Sequence, residues 1–109
     1  DGFYTYFASE NTSYGSRLDA WPSLSRWARN HDKSFVACVG PGYNDTRIRP
    51  WNAKSTEARE GGDLFKRKWK VAVEHADMIA ITSYNEWGEG TQIEPVQERP
   101  GYVDYSPGD

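Results

Sequence analysis

Met78-Ile79-Ala80-Ile81-Thr82-Ser83, running straight into Tyr84-Asn85-Glu86-Trp87-Gly88-Glu89-Gly90, is the stretch from which the architecture is read. Its first half is apolar almost without interruption, the pattern of a strand covered on both faces in a parallel sheet. Its second half crowds polar, aromatic and glycine residues where that strand ends. Upstream, Leu64, Phe65, Trp69, Ala72, Val73 and Ala76 share one side of a helix whose other side carries Lys66, Arg67, Lys70 and Glu74. The run Lys66-Arg67-Lys68 accordingly reads as a solvated face. Ser34 to Val39 reads as another strand. Pro22 suits a first helical turn, and Leu24, Trp27, Ala28 and His31 recur at helical spacing, which predicts an amphipathic helix over 20–31. Gly2 to Phe7, rich in aromatic and β-branched residues, predicts a first strand with Tyr4 and Tyr6 on one face. Strand, helix, strand, helix, strand is the pattern of an α/β fold with right-handed crossovers.

Between the second strand and the second helix lies a loop from Gly40 to about Gly62 that holds Tyr43, Asp45, Arg49, Pro50 and Trp51. Structureless loops longer than about 12 residues are uncommon in compact domains unless they are functional or disordered, and this aromatic content argues against disorder. The end of the chain, from about Gln97, reads as irregular. With 109 residues there is room for one domain. A 15% aromatic share beside 27% charged residues excludes a low-complexity or disordered chain. No apolar run is long enough to span a membrane, and no membrane contact is expected within this segment. Cys38 is the single cysteine, so neither a disulfide framework nor a thiolate metal site is available. Basic residues cluster between Arg47 and Lys70, whereas the C-terminal part is acidic, and no zinc-finger or RNA-binding motif occurs; nucleic acid is not an expected partner. Asn11-Thr12-Ser13 and Asn44-Asp45-Thr46 are sequons of little weight.

Glu86 and Glu89 draw attention by context, not by spacing. A second Glu-x-x-Glu pair, Glu57 and Glu60, occurs where nothing else suggests a site. Glu86 and Glu89 follow an apolar strand, flank Trp87 and alternate with Gly88 and Gly90, which permit tight turns. Ligands of α/β sheets and barrels bind beyond the carboxyl ends of the strands, where these residues fall. Two carboxylates in a partly dry aromatic pocket can divide the roles of acid and base, which is the chemistry of glycoside cleavage. Trp and Tyr rings supply apolar faces for sugar C–H groups while Asn and Arg satisfy hydroxyls.

Gly2-Phe3-Tyr4-Thr5-Tyr6-Phe7, the loop from Val39-Gly40-Pro41-Gly42-Tyr43 through Ile48-Arg49-Pro50-Trp51-Asn52, and Ile81 through Glu94 together resemble the C-terminal part of glycoside hydrolase family 99, the endo-α-1,2-mannosidases. The resemblance covers roughly residues 2 to 95. It implies a partial (β/α)8 TIM barrel of about three C-terminal βα units, residues 1–109 being the C-terminal fragment of one catalytic domain about three times as long. It further implies a retaining hydrolase that cleaves internal α-1,2-mannosidic bonds of N-glycans or mannan through a 1,2-anhydro sugar. In that scheme the residue matching Glu86 deprotonates the substrate's 2-hydroxyl. The residue matching Glu89 protonates the leaving oxygen and then activates water. No metal or other cofactor is implied.

By the same resemblance Tyr6, or Tyr4 on the same face, lies near the scissile bond, and Arg49, Trp51 and Asn52 shape the pocket; read on their own, Trp51 fits a packing role and Arg49 that of a buried ion-pair partner equally well. Asn85 and Trp87 orient the glutamates, and Tyr43 and Tyr84 read as core. Gly88 departs from the pattern, since many members carry His there. Related bacterial polysaccharide-biosynthesis proteins share an Asn-Glu-Trp-x-Glu-Gly segment, but Gln92-Ile93-Glu94 favours the mannosidases. A glycan-binding homologue without activity is the alternative reading, against which the two retained glutamates argue. The implied location is the Golgi lumen for an animal protein with a membrane anchor, and a secreted, periplasmic or cell-surface site for a bacterial one.

Overall fold

The computed structural model describes residues 1–7, 9–10, 12–97 and 99–100. Asn11 of the first sequon and most of the tail beyond Gln97 lie outside the described residues. Three strands, β1 (Gly2–Tyr4), β2 (Ser34–Val39) and β3 (Met78–Ile81), form one sheet in the order β1-β2-β3. Both pairs are parallel, with Phe3 opposite Phe35 and Val39 opposite Ile81. Helices α1 (Trp21–Asn30) and α2 (Asp63–His75) make the two crossovers, so the α/β reading holds.

β1 is shorter than its apolar run. The Thr5 amide still donates to the Val36 carbonyl at 3.1 Å, but the next ladder position is taken by a side chain: the Cys38 amide donates to Thr5 Oγ1 at 3.1 Å. The hydroxyl replaces a backbone carbonyl, and the chain leaves the sheet, carrying Tyr6 and Phe7 with it. At the other edge Met78 and Ile81 are 60% and 41% exposed, so among the described residues β3 lacks the two-sided cover that its sequence predicts.

The core sits on β2, where Phe35, Ala37 and Val39 are wholly buried against Trp21, Ala28 and Ala72. α1 keeps part of the expected face inward, with Ala28 buried and Leu24 packed on the core, but is rotated from it. Trp21, Ser25 and Ala28 are buried, whereas Trp27 is half exposed and stacks on His31 at 4.2 Å. Positions 21, 25 and 28 also obey helical spacing, and the small Ser25 and Ala28 let the helix approach the sheet closely. α2 departs too. Lys68 falls one turn from both Leu64 and Ala72, on the inward line, and is 3% exposed. Its ammonium meets Glu57 Oε2 at 2.6 Å, while Trp69 and Val73 lie toward solvent.

Candidate active site

In a parallel sheet every segment that follows a strand emerges at the same end, so the residues after β1, the loop after β2 and the loop after β3 converge. The loop after β2 is built, not slack. Tyr43 and Glu57 form an antiparallel bridge through two amides at 2.9 and 2.8 Å. Within it the Ile48 and Arg49 amides both donate to the Asp45 carbonyl, and Pro50 opens a 3-10 helix over Pro50–Ser55.

The loop after β3 closes on itself. The Ser83 amide donates to the Thr91 carbonyl at 2.9 Å, and the Thr91 amide to the Glu86 carbonyl at 3.3 Å. Ser83 Oγ accepts the Glu86 amide at 2.8 Å and pairs with Thr91 Oγ1 at 2.8 Å. Gly90 adopts φ 64°, a left-handed turn that glycine makes at no steric cost. Backbone carbonyls of the second loop are fastened to the first: the Asn44 amide donates to the Glu89 carbonyl at 2.8 Å, and Arg59 Nη2 donates to the carbonyls of Gly90 and Gln92 at 3.1 and 2.7 Å.

The two glutamates are held differently. Glu86 is exposed, and its Oε1 accepts the Gly88 amide at 3.0 Å. Glu89 is three-quarters buried, its Oε1 lying 3.2 Å from Arg49 Nη1. Glu89 lines a cleft of ≈ 260 Å³ together with Tyr6, Tyr43, Asn52 and Thr82. Behind the cleft wall sits Asp45, fully buried, which accepts hydrogen bonds from Tyr43 Oη, Arg49 Nη1 and Asn52 Nδ2 at 2.9 to 3.0 Å. Burial pushes the Asp45 carboxyl upward, but the donors on Asn52, Arg49 and Tyr43 outweigh it and hold it below the ordinary carboxylate range. Burial first, then the bond to Asp45 and the charges of Glu89 and Asp45, push the Tyr43 phenol up to about 12.

The sequence profile of Glycosyl hydrolase family 99 matches residues 1–108. The chain belongs to that family. Its backbone is similar to that of the family 99 endo-alpha-mannosidase of Bacteroides thetaiotaomicron, with a TM-score of 0.92 and 50% identity over 98% of this chain and 33% of that one. The glycoprotein endo-alpha-1,2-mannosidases of Mus musculus and Xenopus laevis are each 44% identical to it over 112 residues. The chain spans about a quarter of the length of these curated relatives, 24% and 25% respectively. A glycoside hydrolase-like protein at 20% identity and a TM-score of 0.70 shares the fold.

Within this family 99 segment, the cleft gathers Tyr6, Asn52 and Glu89, with Arg49 attached through its ion pair. Tyr4 stands beside Tyr6, rings edge to face at 6.4 Å. Trp51 is 80% exposed on its 3-10 helix, and Asn85 is exposed with its carbonyl accepting the Trp87 amide. The Trp87 indole donates to Glu94 Oε2 at 3.1 Å and lines a separate hollow with Val96 and Arg99. Two readings are corrected: Tyr84 is exposed rather than core, and Tyr43 lines the cleft. Asp45 was not legible as a site residue; the only signal was its place four residues before Arg49, one helical turn. The second glutamate pair is structural, Glu57 bound to Lys68 and Glu60 to Arg67 at 2.7 Å.

Proposed function

We propose that this segment carries both catalytic carboxylates of a retaining endo-α-1,2-mannosidase, with Glu86 as base and Glu89 as acid. The observation that carries the reading is the placement of Glu89: on the same closed loop as Glu86, in a cleft with Tyr6, Tyr43 and Asn52, beside a fixed guanidinium. The names of the family 99 relatives supply the bond class.

In this scheme Glu86, which is exposed and free to swing from the Gly88 amide, takes the proton of the mannose 2-hydroxyl. O2 attacks C1, the bond from C1 to the leaving oxygen breaks, and Glu89 gives that oxygen its proton. Glu89 then removes a proton from the incoming water, which opens the 1,2-anhydro sugar at C1, and O2 recovers its proton from Glu86. Two inversions give net retention. The enzyme forms no covalent bond to sugar, in contrast to the double displacement of most retaining enzymes. Tyr6 and Asn52 present an aromatic face and an amide to the ring and its hydroxyls.

The parallel sheet with its site at the carboxyl end fits three βα units of a (β/α)8 barrel, residues 1–109 forming the C-terminal segment of that single domain. The substrate is an α-1,2-linked mannoside of an N-glycan or a mannan, met in the secretory pathway or at a bacterial surface.

The test is Glu86→Gln and Glu89→Gln in the intact protein. Each should reduce hydrolysis of an aryl α-mannoside extended by one further sugar by about 10²–10⁴-fold, the usual contribution of a general acid or base. Oligosaccharide binding, read by calorimetry, should persist. Unchanged turnover in both variants removes the assignment; binding without turnover in the parent protein selects the non-catalytic alternative.

A further inference from the structure

Arg49 Nη1 lies 3.0 Å from Asp45 Oδ2 and 3.2 Å from Glu89 Oε1, so one guanidinium nitrogen spans two carboxylates. One of these is wholly buried and fixed. Both oxygens of Asp45 are engaged by Asn52, and Oδ2 also by Tyr43 and Arg49, which leaves the group no other orientation. The other carboxylate, Glu89, faces the cleft. We propose that Asp45 is a positioning residue that fixes Arg49 and shares its positive charge, so that Glu89 is oriented by the guanidinium without being bound as its sole counterion. This rests on the assignment of Glu89 as the acid.

The physical need is plain. A general acid must hold a proton when substrate is bound, and a cation at hydrogen-bond distance favours its ionised form. A second, buried carboxylate on the same nitrogen offsets part of that attraction. The charged and titratable groups about Glu89 are Arg49, Asp45 and Tyr43 from the loop after β2, Tyr6 from the segment after β1, and Glu86 on its own loop. Asp45 is the one among them that is fully buried and anionic, and burial lessens the screening of its charge by salt.

The experiment is Asp45→Asn in the intact protein, with the extended aryl mannoside as substrate. Without the Asp45 charge Arg49 belongs to Glu89 alone. The alkaline limb of the kcat/KM profile should then move to lower pH, because a nearby anion that opposed the loss of the proton is gone. At the pH of maximal rate kcat should fall about tenfold or more while KM stays within about threefold, the pattern of a lost transition-state interaction. In an Arg49→Met background the same substitution should move the limb less than it does with Arg49 present, because only the direct repulsion between the two carboxylates is then removed. A lower melting temperature with an unmoved alkaline limb would show that Asp45 merely braces the loop, and overturns the proposal. If Asp45→Asn does not fold, Asp45→Glu serves: it keeps the charge and displaces Arg49, so kcat should fall, and a wild-type kcat overturns the proposal. Should Glu89→Gln leave hydrolysis intact, the acid assignment itself fails; if Glu89→Gln abolishes it and Asp45→Asn leaves the limb unmoved, only the role of Asp45 fails.

Discussion

Lys68 and Gly88 show how much a single position decides here. Lys68 is buried with its ammonium on Glu57, whose other oxygen accepts the Glu10 amide at 2.8 Å. Removing one partner of such a pair leaves an uncompensated buried charge, so Lys68→Ala should cost about 3–5 kcal/mol in urea unfolding. A loss below about 1 kcal/mol would mean that water reaches Glu57 freely. At Gly88 the question is activity. A Cβ there would lie 3.0 Å from Glu86 Oε1 and 3.1 Å from Ile48 Cδ1, the ends of two side chains that can yield. Gly88→Ala should therefore change stability by less than about 1 kcal/mol. It should still displace the Glu86 carboxylate and lower kcat several-fold; unaltered kcat would show that the resting contact between Glu86 and the Gly88 amide is irrelevant to turnover. The burial of Lys68 was not visible along the chain, because which charge in the Lys66-Arg67-Lys68 run faces inward depends on the rotation of α2 against β2.

Among the elements, the two loops after β2 and β3 matter more than the strands that present them. The loop after β3 is held by Thr91, fully buried, through Ser83 Oγ, which in turn accepts the Glu86 amide. Thr91→Val keeps the shape and deletes the hydroxyl. It should cost about 1–2 kcal/mol, the value of a buried hydrogen bond with one partner left unsatisfied. Hydrogen exchange at the Glu86 amide should quicken, and protection equal to that of the parent would show that Ser83 alone holds the turn. The strands and helices themselves follow from short-range pattern: the apolar runs of β2 and β3 and the 3.6-residue periodicity of α2 are readable without any tertiary information. The errors lie in which face turns inward. On α1 both Trp21-Ser25-Ala28 and Leu24-Trp27-Ala28-His31 satisfy the period; the seat on β2 takes Trp21, Ser25 and Ala28 with Leu24 at the edge, and leaves Trp27 half exposed. At β1 the composition continues to Phe7, but the hydroxyl of Thr5 captures the Cys38 amide and ends the pairing early.

For the whole molecule, pH reports on the buried network behind the cleft. The carboxyl of Asp45 is held below its ordinary 3.8, so the stability it contributes is present above about pH 4 and is lost as pH falls through the lower folded value. Tyr43 is raised from 10.0 to about 12, so its contribution is complete below pH 10 and is lost as pH rises from there through about 12. The stability difference between the parent and Tyr43→Phe should accordingly be flat from pH 6 to 9 and shrink above pH 10; a difference independent of pH up to 12 would show that the phenol is not held neutral by its surroundings. The sequence alone determined the alternation of strands and helices, the family and the loop that carries Glu86 and Glu89, since periodicity, turn chemistry and motif are properties of neighbours along the chain. Tertiary structure decided that Arg49 meets Glu89 across forty positions, that Asp45 stands behind them and that Lys68 is buried. Those contacts depend on how parallel strands stack their following loops at one end of a sheet, and a one-dimensional order of residues does not encode the distances between segments brought together in that way.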